Sequence, residues 1–159
     1  MQPALSSIEK FERLPAYDRI DPRKLSLEFF DLSRFQRFLD RVENPERGLP
    51  VVHVAGSKGK GSTVVLIGAA LQALGKRVGV FISPYLHEPR ESIFVDGSAM
   101  PAHVFTEYMN RYEPYLSDGT VTSFELLTAM AFQYFHDRDV DLAVIETWLG
   151  GRLDSTNVI

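Results

Sequence analysis

The 159-residue sequence contains no cysteine. That absence excludes disulfides, thiol nucleophiles and thiolate metal sites together. Histidine is scarce, and His53, His87, His103 and His136 stand at no metal-ligand spacing. The longest predominantly apolar run, Val64 to Leu74, is too short to span a bilayer and is followed by Lys76 and Arg77. Met1 to Leu14 mixes charges with apolar residues and has no signal-peptide core. Positive charge is not in excess: 17 basic residues face 21 acidic ones, a net charge of −4. Nothing electrostatic therefore recommends nucleic acid or an anionic membrane as a partner. Any phosphate the chain binds must be held by a local device. A cytoplasmic location is expected, with neither nucleic acid nor membrane as partner.

What is present suits one domain with a real core, since 45% of the residues are hydrophobic and 24% charged. Residues 1–30 read as polar and irregular, punctuated by Pro3, Pro15 and Pro22. Asp31 to Val42 reads as an amphipathic helix, with Leu32, Phe35, Leu39 and Val42 on one face. Val51 to Ala55 reads as a buried strand, Ser62 to Leu74 as a helix and Arg77 to Ile82 as a second strand. This strand, loop, helix, strand unit predicts a parallel crossover. Asp96-Gly97 marks a hairpin turn within Ile93 to Met100. Pro101 is placed at the first position of a helix running to about Leu116. Thr122-Ser123-Phe124-Glu125 fits a capping box opening another helix, in which Phe132 and Phe135 fall at core spacing. Val140 to Glu146, apolar nearly throughout, reads as a central parallel strand.

The strongest chemistry lies at Gly56-Ser57-Lys58-Gly59-Lys60-Gly61-Ser62-Thr63, between a strand and a helix. Glycines let the backbone fold round an anion, and the helix N-terminus adds the positive end of its dipole. Lys60 supplies a mobile cation for β- and γ-phosphates, and Ser62 or Thr63 a hydroxyl for a phosphate or Mg²⁺. The usual Walker A spacing is not met, because Val54 stands where its first glycine belongs and Gly61 follows the lysine. Glu146 ends the third strand, and ligands of open α/β sheets bind outside that end. A carboxylate there can hold Mg²⁺ opposite the phosphate loop. His53, inside a strand, reads as a packed histidine.

These motifs, in this order, resemble the folylpolyglutamate synthase family of Mur-type ligases. The family's HVAGTNGKGS loop corresponds to His53 through Ser62, and its SPHL segment to Ser83-Pro84-Tyr85-Leu86. Its TxFExxTAxAF segment corresponds to Thr122 through Phe132, and its ExGLGGRLDATN signature to Glu146 through Asn157. The resemblance runs from about Phe30 to the last residue. The sequence departs from it at Lys58 (usually asparagine), Tyr85 (usually histidine), Trp148 (usually glycine) and through His87 to Ile93, a loop that helps shape the substrate site.

The resemblance implies an α/β fold, a P-loop-type three-layer parallel sheet with flanking helices forming part of a Mur-ligase central domain. It implies an ATP-dependent ligase joining L-glutamate to a folate or dihydropteroate carboxylate through an acyl phosphate. Carried over by position, Ser57, Lys58, Gly59, Lys60, Gly61 and Ser62 cradle the ATP phosphates, and Ser83 and Glu146 hold Mg²⁺. Thr122, Ser123, Phe124, Glu125, Leu153, Asp154 and Ser155 match segments lining the pteridine site. Lys60 and Glu146 are the catalytic candidates. Family members are more than twice this length. Residues 1–159 are thus expected to be the N-terminal part of the ATP-binding domain, without the C-terminal glutamate-binding domain, and inactive alone; the full-length enzyme is expected to be a monomer. Two alternatives stay open: a non-catalytic nucleotide-binding module, and a Mur-type ligase for another carboxylate.

Overall fold

A computed structural model describes residues 5–16 and 31–159. Five strands form one sheet in the order β1-β5-β2-β3-β4. They are β1 (Val51–Val54), β2 (Val78–Phe81), β3 (Ile93–Val95), β4 (Ser98–Ala99) and β5 (Leu142–Glu146). β5 pairs in parallel with β1 on one side and β2 on the other. The expected parallel crossover from β1 to β2 is present, but the two strands are not neighbours, because β5 lies between them. The sheet is also not purely parallel. The hairpin at Asp96-Gly97 adds β3 antiparallel to β2, and β4 antiparallel to β3. Asp96 and Gly97 both have positive φ (50° and 76°), the backbone that a two-residue hairpin matched to strand twist requires.

The helices are α1 (Ser7–Glu12), α2 (Leu32–Arg41), α3 (Lys60–Ala73), α4 (Ala102–Tyr112) and α5 (Ser123–Asp137). Alternation along the central strands sorts the two faces of the sheet. Val78, Val80 and Val144 point to one face and pack with Val64 of α3 in a small aliphatic core. Phe81, Ala143 and Ile145 point to the other, into a large aromatic core with Phe132 and Phe135 of α5. Each fully buried phenylalanine there contributes about 2–3 kcal/mol by leaving water. Glu146 follows the register of Val144, so its carboxylate lies on the α3 side.

α5 opens with the expected capping box: Glu125 N donates to Thr122 Oγ1 at 3.2 Å, and Thr122 N to Glu125 Oε2 at 2.7 Å. Arg34 of α2 donates to the other oxygen, Glu125 Oε1, at 2.6 Å, tying the two helices together. Two expectations need correction. Residues 7–12 are helical rather than irregular; a second capping box, Ser6 with Glu9, starts the helix, and Phe11 packs on Phe105 of α4 at 5.7 Å. Pro101 is the residue before α4 rather than its first member, with extended ψ of 145°. Among the described residues no helix is long and apolar enough to cross a membrane.

Candidate functional site

The loop after β1 delivers the chain into α3 through Gly59, whose φ of +75° lies in the left-handed region that favours glycine. No side chain caps α3. The first amides of a helix have no intrahelical acceptor, so those of Lys60, Gly61 and Ser62 face outward beside the positive end of the dipole. Thr63 Oγ1 donates to Gly59 O at 2.8 Å, which leaves Ser62 as the hydroxyl free to meet a ligand. Ser57, Lys58 and Ser62 are exposed, and the Lys60 side chain is mostly buried.

Glu146 stands opposite. Its Oε1 lies 3.8 Å from Lys60 Nζ, and its Oε2 accepts from Ser83 N at 3.1 Å. A Cβ added at Gly61 would lie 3.2 Å from Glu146 Oε2, so glycine leaves room for the carboxylate to approach the helix start. The Ser83 hydroxyl is buried and has no partner. Lys60, Glu146, Ser83 and the start of α3 therefore converge as the sequence reading expected. An orphaned hydroxyl beside a carboxylate suits a hard divalent cation, which takes oxygen ligands and keeps several of its waters. Among the described residues no group of three or more His, Asp or Glu side chains could hold a metal unaided. Ser83 and Glu146 would need phosphate oxygens and water to complete the shell.

The loop after β5 closes on itself. Asp154 is buried, and its Oδ2 accepts from Trp148 N (2.9 Å) and Leu149 N (2.7 Å). Its Oδ1 accepts from Thr156 N (3.0 Å) and Thr156 Oγ1 (2.6 Å). His53 Nε2 meets Thr156 Oγ1 at 2.7 Å, so this histidine is packed, as expected, and also tied to the loop. Burial pushes the His53 pKa below its ordinary value, with Asp154 opposing the shift. Leu153 is exposed and Ser155 buried.

Beside Ser83 opens a cavity of about 290 Å³. Ser123 and Phe124 line it, as does Trp148, whose ring lies 5.4 Å from that of Phe124. Phe124 in turn lies 6.0 Å from the buried Phe81. Thr122, Glu125, Leu153, Asp154 and Ser155 do not line it. Ser92, whose hydroxyl is buried without a partner, does. Sequence reading missed Ser92, and only its lack of a partner in the fold signals it.

A glycine-rich turn between a parallel strand and a helix, faced by an acid from the adjoining strand, defines an α/β phosphate-loop domain. The chain is a homologue of the folylpolyglutamate/dihydrofolate synthases. It is 41% identical over 135 residues to the dihydrofolate synthase/folylpolyglutamate synthase of Bacillus subtilis, a match covering 80% of this chain and 31% of the relative. Among solved structures, an FPGS–AMPPCP–folate complex superposes with a TM-score of 0.82 at 32% identity, covering 96% of this chain and 37% of that one. Mycobacterium tuberculosis folylpolyglutamate synthase, solved with ADP and AMPPCP, gives 0.74 at 38% identity, covering 80% and 31%. The chain thus spans about a third of the length of these relatives. No family model matches it.

Proposed function

We propose that residues 1–159 are the N-terminal part of the ATP-binding domain of a cytoplasmic ligase that joins L-glutamate to a folate or dihydropteroate carboxylate. The observation that carries this reading is the convergence of Lys60, Glu146 and Ser83 on the uncapped start of α3. Relatives solved with ATP analogues and folate support the ligands.

In the reaction, an oxygen of the acceptor carboxylate attacks the γ-phosphorus of ATP, and the bond to the departing ADP breaks. The glutamate amine then attacks the acyl phosphate carbon; the carbon–oxygen bond breaks, phosphate leaves and the amine loses its proton to solvent. The chain supplies position and charge rather than a nucleophile. The amides of Lys60, Gly61 and Ser62 hold phosphate oxygens, and the Lys60 ammonium offsets the charge gathering on the transferred group. Ser83 and Glu146 would hold Mg²⁺, which when bound neutralises phosphate charge.

Calorimetric titration with ATP and Mg²⁺ tests the reading. Saturable binding is expected, weakened about 100-fold by Lys60→Ala through loss of one charge-assisted contact set. A folded chain that binds no nucleotide, or binds it equally well in the variant, overturns it.

A further inference from the structure

Gly61, Val64 and Gly68 of α3 are spaced to share one helix face, and that face rests on the sheet. Val64 is fully buried and packs with Val78, Val80 and Val144. Gly68 comes closer still: a Cβ built there would lie 2.8 Å from Val80 Cγ2 and 4.0 Å from Val78 Cγ1. Carbon atoms at their best separation stand about 3.5–4.0 Å apart, so a methyl group on residue 68 needs about 1 Å of extra room.

The surroundings decide where that room comes from. Val80 is β-branched and stiff at χ1, so its methyl group does not fold away freely. β2 is hydrogen-bonded to β5 on one side and β3 on the other. It is also backed on its far face by the fully buried Phe135, whose Cδ1 would lie 2.5 Å from a Cβ on Gly79. β2 therefore cannot retreat. α3 can, because Val65, Leu66, Ala69 and Ala70 on its outer side are exposed, Leu66 by 70%. A larger residue in place of Gly68 lifts the helix off the sheet.

Gly61 lies about 10 Å further up the same helix, at 1.5 Å per residue, and faces Glu146. Packed interiors pass such strain on. The lift thus reaches the gap between the first amides of α3, which take phosphate oxygens, and the Ser83 and Glu146 oxygens assigned to Mg²⁺. A magnesium–nucleotide complex must span that gap. Metal-free nucleotide sits on the α3 side alone.

We infer that Gly68 is a positioning residue for the magnesium–nucleotide site: by letting α3 lie against Val80, it sets the distance between the phosphate-holding helix start and the Glu146 carboxylate. The inference rests on the ligase reading and adds to it a residue that touches neither ligand.

Wild type, Gly68→Ala, Val80→Ala and the double variant are titrated by calorimetry with a non-hydrolysable ATP analogue, in magnesium and in EDTA, and each is melted thermally. In Gly68→Ala the affinity in magnesium is expected to fall about tenfold, within the roughly 100-fold that a 1 Å misplacement can cost, while affinity in EDTA changes less than about twofold. Its melting temperature stays near that of wild type, because the helix propensity of alanine offsets part of the strain. Val80→Ala melts lower, through the space it leaves, yet keeps wild-type affinities. The double variant regains wild-type affinity in magnesium, because the methyl group on residue 68 enters the space that Val80 gave up. A purely structural role would make affinity follow melting temperature; the inference requires the two to part. Unchanged magnesium affinity in Gly68→Ala, an equal loss in EDTA, or no recovery in the double variant overturns the inference, while nucleotide binding by wild type keeps the ligase reading. A Gly68→Ala chain that does not fold also overturns it, since Gly68 then serves folding. If folded wild type binds no nucleotide, the inference and the ligase reading fall together.

Discussion

The loop after β1 and the loop after β5 leave the same end of the sheet, and they satisfy their backbones in opposite ways. From Gly56 to Ser62 the chain offers amides and a lysine but makes almost no side-chain contacts of its own. From Trp148 to Thr156 it is sealed by one buried carboxylate that accepts four hydrogen bonds. The first loop is incomplete until an anion arrives. The second is complete beforehand, and so can hold a wall in place for something else. Polar groups left open and polar groups closed on each other are both functional; they differ in whether the ligand or the protein supplies the partner.

The sharpest way to break this contrast is Asp154→Ala. It strands two or three buried donors and should cost about 3 kcal/mol, read as a lower urea midpoint at unchanged slope. A cost below about 1 kcal/mol would mean that the second loop is not sealed by this residue. Next comes Glu146→Gln, which keeps shape and removes charge. Nucleotide affinity with Mg²⁺ should fall about 30-fold while affinity without metal changes little, since the carboxylate is assigned to the ion. Calorimetry in magnesium and in EDTA separates the two. Gly61→Ala should act on the open loop alone. Its methyl group would press Glu146 Oε2, so magnesium–nucleotide affinity should drop about fivefold, while a gain of up to about 1 kcal/mol in helix propensity holds or raises the melting temperature.

The smallest effect concerns His53. Its folded-state pKa lies below the ordinary 6.5 because burial disfavours the cation. The unfolded chain therefore binds the proton first as pH falls, and this group's stabilisation, present above 6.5, is lost progressively below it. On going from pH 7 to pH 5 the wild type should lose about 2 °C more in melting temperature than His53→Asn. Equal losses would separate His53 from the sealed loop.

Much of this was legible in the sequence because it is local. The Thr122 box, the Asp96-Gly97 turn and the glycine-rich loop each depend on residues within a few positions of one another, and all are present. The Ser6–Glu9 box was equally local and was passed over amid the prolines around it. Other features had no local signature. Nothing near Val51 or Val78 says that Leu142–Glu146 will lie between them, since strand order is settled by tertiary packing. The orphaned hydroxyls of Ser83 and Ser92 exist only after distant segments have closed over them. Glu125 and Asp154 read as candidates for substrate contact; in the fold their oxygens are engaged by Thr122 and Arg34, and by the backbone of residues 148–156. Short sequence distance revealed the caps, and only three-dimensional distance reveals which carboxylates remain open.

The position of β5 also has a bearing on synthesis. The two strands on either side of the glycine-rich loop and α3 are made first, yet neither can hydrogen-bond to the other, because the strand that joins them is translated after both. A ribosome-bound chain that has not yet extruded Leu142–Glu146 has two unpaired parallel edges, a demand for long-range closure that slows folding and invites misassociation. Once that strand docks, the sheet closes and Glu146 arrives with it, so the phosphate site and the middle of the sheet come into being in the same event.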